Sequence, residues 1–204
     1  MLVPHMTMEE IIREVNKDYP ILKRKMVYHS QEIRQKICRH ILPRDFEMFF
    51  DYTSKYKNHW LYKINCSKKE SEYIAILIYH NGRGHVGIEV GDDGSIIYHT
   101  GHFFLRYNER LNLGLCAFND IVKAFMKENF AYQFQTIDCI APGVHTFFGR
   151  IQTGVIMGTV YKRLHFAKIN TFLPTAVLSP NQQAHLEHLR REMAKYKGTE
   201  FDVF

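Results

Sequence analysis

Residues 98–110 hold the side chains best suited to acid–base and anion chemistry: His99, His102, Arg106 and Arg110. On a helix, positions three or four apart share a face, so His102, Arg106 and Arg110 stack along one side with His99 just ahead of them. That face is cationic. An imidazole exchanges a proton near neutral pH, and guanidinium groups grip phosphate oxygens in pairs, so the combination suits the handling of a phosphodiester. Phe103, Phe104, Tyr107 and Leu111 fall on the other side, as a helix packed on a sheet requires. Glu109 lies within reach of Arg106, so the same face reads equally well as a solvated ion-pair network.

The stretch His102-Phe103-Phe104-Leu105-Arg106-Tyr107-Asn108-Glu109-Arg110 resembles the HFFxRYxER signature of uncharacterised bacterial proteins. More distantly it is similar to the HAxxRMxxR helix of small proteins in the fold shared by barnase, EndoU, colicin ribonuclease domains and RelE toxins. The order expected over residues 100–173, two helices followed by four strands, is similar to that fold as well. Phe103 and Phe104 depart from the pattern, which has small residues there. The resemblance implies metal-independent RNA cleavage, with His102 as acid or base, Arg106 and Arg110 as the phosphate clamp, and Thr171 as a strand hydroxyl. His99, Tyr107, Arg150 and His165 are then the candidates for substrate contact, and His145 or His165 for the second proton transfer. The expected partner is RNA or another polyanion, and no cofactor is expected.

Other chemistries find less in the sequence. His99 and His102, or His80 and His85, could be paired as metal ligands, but no His-Glu-x-x-His motif accompanies them. With His at 12 among 204 residues, chance pairs are expected, and a metal is set aside. Gly82, Gly84 and Gly87 spell Gly-x-Gly-x-x-Gly, yet the run leads into a strand, which denies a dinucleotide the positive end of a helix. No Gly-x-Ser-x-Gly elbow and no phosphate-binding Gly-Lys-Ser or Gly-Lys-Thr occurs. Cys38, Cys66, Cys116 and Cys139 are widely spaced, which predicts reduced, mostly buried thiols. The same basic and aromatic residues also suit a non-catalytic nucleic-acid- or protein-interaction module.

The elements that must position these residues can be read from periodicity. Thr7 and Glu10 form a capping box for a first helix, Pro20 suits the first turn of a second reaching about residue 41, and residues 45–56 fit a third. From His59 the period becomes alternating. Asn81-Gly82-Arg83-Gly84 and Gly91-Asp92-Asp93-Gly94 are hairpin signals, so residues 60–98 should form an antiparallel meander of four strands. Helices over 101–111, capped by Thr100, and over 120–129, capped by Asn119, come next. Strand-like runs at 131–138, 144–151, 154–161 and 164–173 follow, and Ser179-Pro180 opens a last helix to about residue 197. The two meanders could form one sheet or two. The expected class is α+β, with an N-terminal helical segment at 1–58 and an α+β domain at 59–204, the two together forming one compact unit or not.

Composition fits that class. Of 204 residues, 46% are hydrophobic and 24% charged, which supplies a core and excludes wholesale disorder. The formal net charge of +6 favours an anionic partner. No apolar run approaches the roughly 18 residues of a membrane span. Acidic Glu9 and Glu10 spoil a signal-peptide pattern, so a cytoplasmic protein without membrane contact is expected.

Overall fold

The computed structural model describes residues 1–91, 93–129, 132–181, 183, 184 and 187. Among the described residues, three complete α-helices and one nine-stranded mixed sheet make an α+β fold in which helices cover both faces of the sheet. Along the chain these are α1 (Met8–Cys38), β1 (Phe46–Thr53), β2 (His59–Cys66), β3 (Ser71–His80), β4 (His85–Val90), β5 (Ile96–His99), α2 (Gly101–Arg110) and α3 (Phe118–Glu128). Strands β6 (Gln133–Ala141), β7 (Val144–Ile151), β8 (Gly154–Tyr161) and β9 (Phe166–Pro174) complete the sheet. The strand order is β1-β2-β3-β4-β5-β9-β8-β7-β6. Every pairing is antiparallel except β5 with β9, where Ile96 to His99 run parallel to Phe166 to Ile169. That parallel seam joins the two meanders into a single sheet.

The N-terminal region differs from the sequence expectation in two places. Thr7 and Glu10 do close a reciprocal capping box, but one helix runs through Pro20 instead of two meeting there. Its buried stripe of Ile11, Val15, Leu22, Met26, Ile33 and Ile37 is continuous across the proline. Pro20 lies on the exposed side, where the carbonyl left without a donor can turn to water. Residues 45–56, expected to be helical, instead contain edge strand β1, paired along its whole length with β2. Phe46, Phe50 and Tyr52 pack toward α1 and Phe49 toward the other layer; aromatic and Thr side chains favour such a half-buried pleat.

The later helices and strands fall close to expectation. Thr100 caps α2 by accepting from Phe103 N at 3.2 Å. Helix α3 begins earlier than expected, behind Ala117, and Asn119 is inside it instead of capping it. Strand β6 is shifted to Gln133–Ala141, and a 3-10 turn at Lys162–Leu164 delays β9 to Phe166. The final helix expected from Ser179-Pro180 lies mostly outside the described residues; Gln183 N donates to Ser179 O at 2.9 Å, which makes its first turn. Of the four free thiols only Cys66 is buried, so the expectation of mostly buried cysteines fails. Among the described residues, no helix is long and apolar enough to cross a membrane.

Two cores result. The α1 layer packs on the face carrying Trp60, Tyr62, Leu77, Ile88 and Tyr98, whereas α2 and α3 pack on the opposite face, over Leu61, Ile76, Ile97, Ile169 and Phe172. Fully buried Phe103 and Phe104 anchor α2, each worth about 1.5–3 kcal/mol of burial.

Candidate phosphate-binding cleft at the start of helix α2

Strand register builds the site. His80 pairs with His85 across the β3–β4 hairpin, and Gly87 pairs with His99, so two residues further along β4 His85 comes beside Gly101. The approach is close: a Cβ on Gly101 would lie 2.5 Å from the His85 carbonyl oxygen, which leaves room there only for glycine. The β3–β4 turn is thereby brought to the N-terminus of α2.

Between them lies an open cleft of about 380 Å³, bordered by Asn81, Arg83, His85, His102, Cys116 and Phe118 together with apolar neighbours, and no carboxylate residue lines it. The His85 ring stacks on Phe118 at 5.3 Å between centroids, and the His80 ring meets it edge-on, also at 5.3 Å. Thr100 has already satisfied the Phe103 amide, and the Gly101 and His102 amides belong to the first turn, which a helix leaves without internal acceptors. Those amides, the helix dipole, Arg83 and the imidazoles all favour an anion.

The expected cationic face of α2 forms only in part. His102 is exposed, and its Nε2 accepts from Arg106 Nε at 3.4 Å, which places the imidazole proton of the neutral ring on Nδ1. Arg106 also pairs through Nη1 with Glu109 Oε2 at 2.7 Å. Arg110 points elsewhere and donates to the Phe172 carbonyl of β9.

The other expected residues are dispersed. His99 is fully buried: its Nε2 lies 3.4 Å from both Glu89 Oε2 and the Tyr132 hydroxyl, and the rings of Phe103, Phe104 and Phe125 surround it. Tyr132 donates to Glu89, and burial holds its hydroxyl far above the usual phenol range. Tyr107 is buried as well, its hydroxyl accepting from Asn129 Nδ2 at 3.2 Å. Thr171 pairs with Met157 within the sheet, and Arg150 and His145 lie on β7, two strands beyond β9. His165 sits ahead of β9, beside Ile96 at the start of β5, whereas α2 leaves from the other end of that strand. None of these residues borders the cleft.

Arg83, His85 and Phe118 were not assigned to this site from the sequence. The Gly82-Arg83-Gly84 turn and the pairing of His80 with His85 were visible there, but their approach to α2 depends on the β4–β5 register. Among the described residues, no group of three or more His, Cys, Asp or Glu side chains is placed to hold a metal ion. Compared with models of known protein families, with curated proteins and with solved structures, the chain matches none.

Proposed function

We propose that the cleft at the start of α2 binds a phosphodiester strand, and that the protein is a metal-independent endoribonuclease acting there. The observation that carries this reading is the convergence of Arg83, His85 and His102 on the first turn of α2, in a concavity lined by no carboxylate. In the proposed reaction Arg106 Nε gives up its hydrogen bond to His102 Nε2, that nitrogen takes the 2′-hydroxyl proton, and the 2′-oxygen attacks phosphorus. Arg83 and the first-turn amides offset charge growing on the phosphorane oxygens. His85 protonates the departing 5′-oxygen, leaving a 2′,3′-cyclic phosphate and a 5′-hydroxyl. Phe118 offers a ring on which a base can stack.

A second reading, a non-catalytic nucleic-acid-binding module, is favoured by the intramolecular engagement of both α2 guanidiniums, Arg106 with Glu109 at the surface and Arg110 with the Phe172 carbonyl. One experiment separates the two: end-labelled single-stranded RNA is incubated with the protein in EDTA, and affinity and cleavage are followed together. The ribonuclease reading requires 5′-hydroxyl products that disappear in His102→Ala while affinity stays within a few-fold. Salt-sensitive binding without products leaves the binding module. Affinity that is absent, or indifferent to salt, removes both.

A further inference from the structure

The opposite face of the sheet carries a second concavity. It measures about 290 Å³ and lies between the N-terminal segment, the β3–β4 turn and strands β5, β8 and β9. Its walls are aromatic, formed by Tyr79, Tyr98, Tyr161 and Phe166; the Phe166 ring lies 5.9 Å from Tyr98 and 6.0 Å from Tyr161. Its rim is basic, with His5, Arg83 and Lys168, and no Asp or Glu lines it.

The polar groups inside are ordered. Asn81 Nδ2 donates to the Tyr98 hydroxyl at 3.1 Å, and the Tyr79 hydroxyl is a close neighbour of the Tyr98 hydroxyl. Burial and that neighbour hold the Tyr79 hydroxyl well above its usual range, so it stays neutral. The mouth is braced by two left-handed backbone positions in contact, His5 at φ 68° and Gly82 at φ 90°. A Cβ on Gly82 would lie 3.1 Å from His5 Cε1, so a side chain there would crowd the imidazole as well as strain the backbone.

We propose that this pocket binds a nucleoside monophosphate, with the base against the half-buried Tyr79 and Tyr161 rings, which the buried Tyr98 and Phe166 back, and the phosphate between Arg83 and Lys168. Its volume lies at the lower end of small-ligand sites, suited to one nucleotide and too small for a dinucleotide. Aromatic walls accept the flat face of any base, and paired cations hold a phosphate. Asn81 and the Tyr79 hydroxyl are placed to meet polar groups on the base edge. The pocket opens on the other face of the sheet from the α2 cleft but shares Asn81 and Arg83 of the β3–β4 turn with it, so the Arg83 guanidinium serves one anion at a time and Lys168 belongs to this pocket alone.

The test is calorimetric titration of the protein with AMP, adenosine and inorganic phosphate at matched ionic strength. AMP should bind at least tenfold more tightly than either fragment. Lys168→Gln should weaken AMP by about tenfold, whereas His102→Ala, across the sheet, should change it by less than twofold. A methyl-labelled sample needs no substitution: AMP should shift the methionine resonances of Met6 and Met8, which border the pocket, and leave that of Met48 on β1 in place. The assignment is overturned by AMP binding no better than phosphate, by indifference to Lys168→Gln, or by silent Met6 and Met8 signals. It is overturned too if His102→Ala abolishes AMP binding, because the anion then occupies the α2 cleft. AMP binding that persists in a protein with no affinity for RNA would leave this pocket standing and remove the reading of the cleft.

Discussion

The Arg110 guanidinium, on the last turn of α2, donates to the main-chain carbonyl of Phe172 on β9. Strand β5 pairs with β9 only as far as Ile169, so β9 continues past the end of its neighbour and meets α2 there instead. Arg110 therefore ties helix to sheet. Replacing it with Ala removes a charge-assisted hydrogen bond worth about 1.5–3 kcal/mol. The expected loss is toward the lower figure because the side chain is only half-buried, and the melting temperature should fall by about 3–6 °C. RNA affinity should stay within twofold. Thermal melts and a binding titration on one preparation check this; a large loss of affinity with unchanged melting would return Arg110 to the phosphate clamp.

Arg106 is held differently. Its partner Glu109 is 64% exposed and the Arg106 side chain 38% exposed, so the 2.7 Å pair is a solvated one and contributes little to stability. It nevertheless lowers the positive charge beside His102. Glu109→Gln should leave the melting temperature nearly unchanged while raising affinity for single-stranded RNA several-fold. The slope of log affinity against log salt should steepen by about 0.7, the value for one more neutralised phosphate on a single strand. Parallel salt titrations of wild type and variant measure this, and identical slopes would show that Arg106 stays out of the bound complex.

How much of this could be read from residues alone depended on whether the determining contact was local. Helix α2 was legible because Thr100, three residues before Phe103, and the apolar set Phe103, Phe104 and Tyr107 are all encoded within one short window. The hairpins were legible because their turns carry Gly82 and Gly94, both at positive φ. Strand β1 was not, since Phe46, Phe49 and Phe50 fit a helical stripe as well as a pleat, and only the presence of β2 alongside decides. The surroundings of His102 were not legible for the same reason. Pairing of Gly87 with His99 carries His85 to Gly101, and no spacing rule over a single stretch of chain contains that information. His99, three residues before His102, faces inward from a strand whose alternation was visible but whose buried face was not.

Asn129 connects the layer that carries the cleft. It is fully buried; its Nδ2 donates to the Tyr107 hydroxyl at 3.2 Å and to the Phe125 carbonyl at 3.0 Å. Its Oδ1 accepts from Thr153 N at 3.1 Å and Thr153 Oγ1 at 3.0 Å, so α2, α3 and the β7–β8 turn meet at one amide. Asn129→Leu takes this partner from the buried Tyr107 hydroxyl and from the half-buried Thr153 donors, at a cost of about 1–3 kcal/mol. Asn129→Asp keeps the acceptor toward Thr153 but loses both donated bonds, and should fall between wild type and Asn129→Leu. Urea unfolding of the three proteins gives the order; equal stability of the two variants would mean that the bonds accepted from Thr153 carry no weight.

On the other face, the histidine of α1 makes stability depend on pH. The His29 ring packs 4.6 Å from Phe50, and its Nδ1 lies 2.8 Å from the Tyr62 hydroxyl. Burial pushes Tyr62 up to about 12, so at neutral pH the phenol is protonated and donates to Nδ1. Protonating the imidazole would put a hydrogen on Nδ1 and reverse that bond. Burial, followed by repulsion from Lys25 and opposed by Glu32, lowers the His29 pKa from 6.5. The unfolded chain thus takes up the proton at a higher pH than the folded one. The stabilising effect of neutral His29 is complete above about pH 6.5 and is lost as pH falls through the lower folded-state value. Urea midpoints measured from about pH 8 to about pH 5 should therefore decline for wild type more steeply than for His29→Gln, which cannot titrate. Parallel declines would assign the acid sensitivity to other groups, whereas a flatter variant curve would locate it at the contact between His29 and Tyr62.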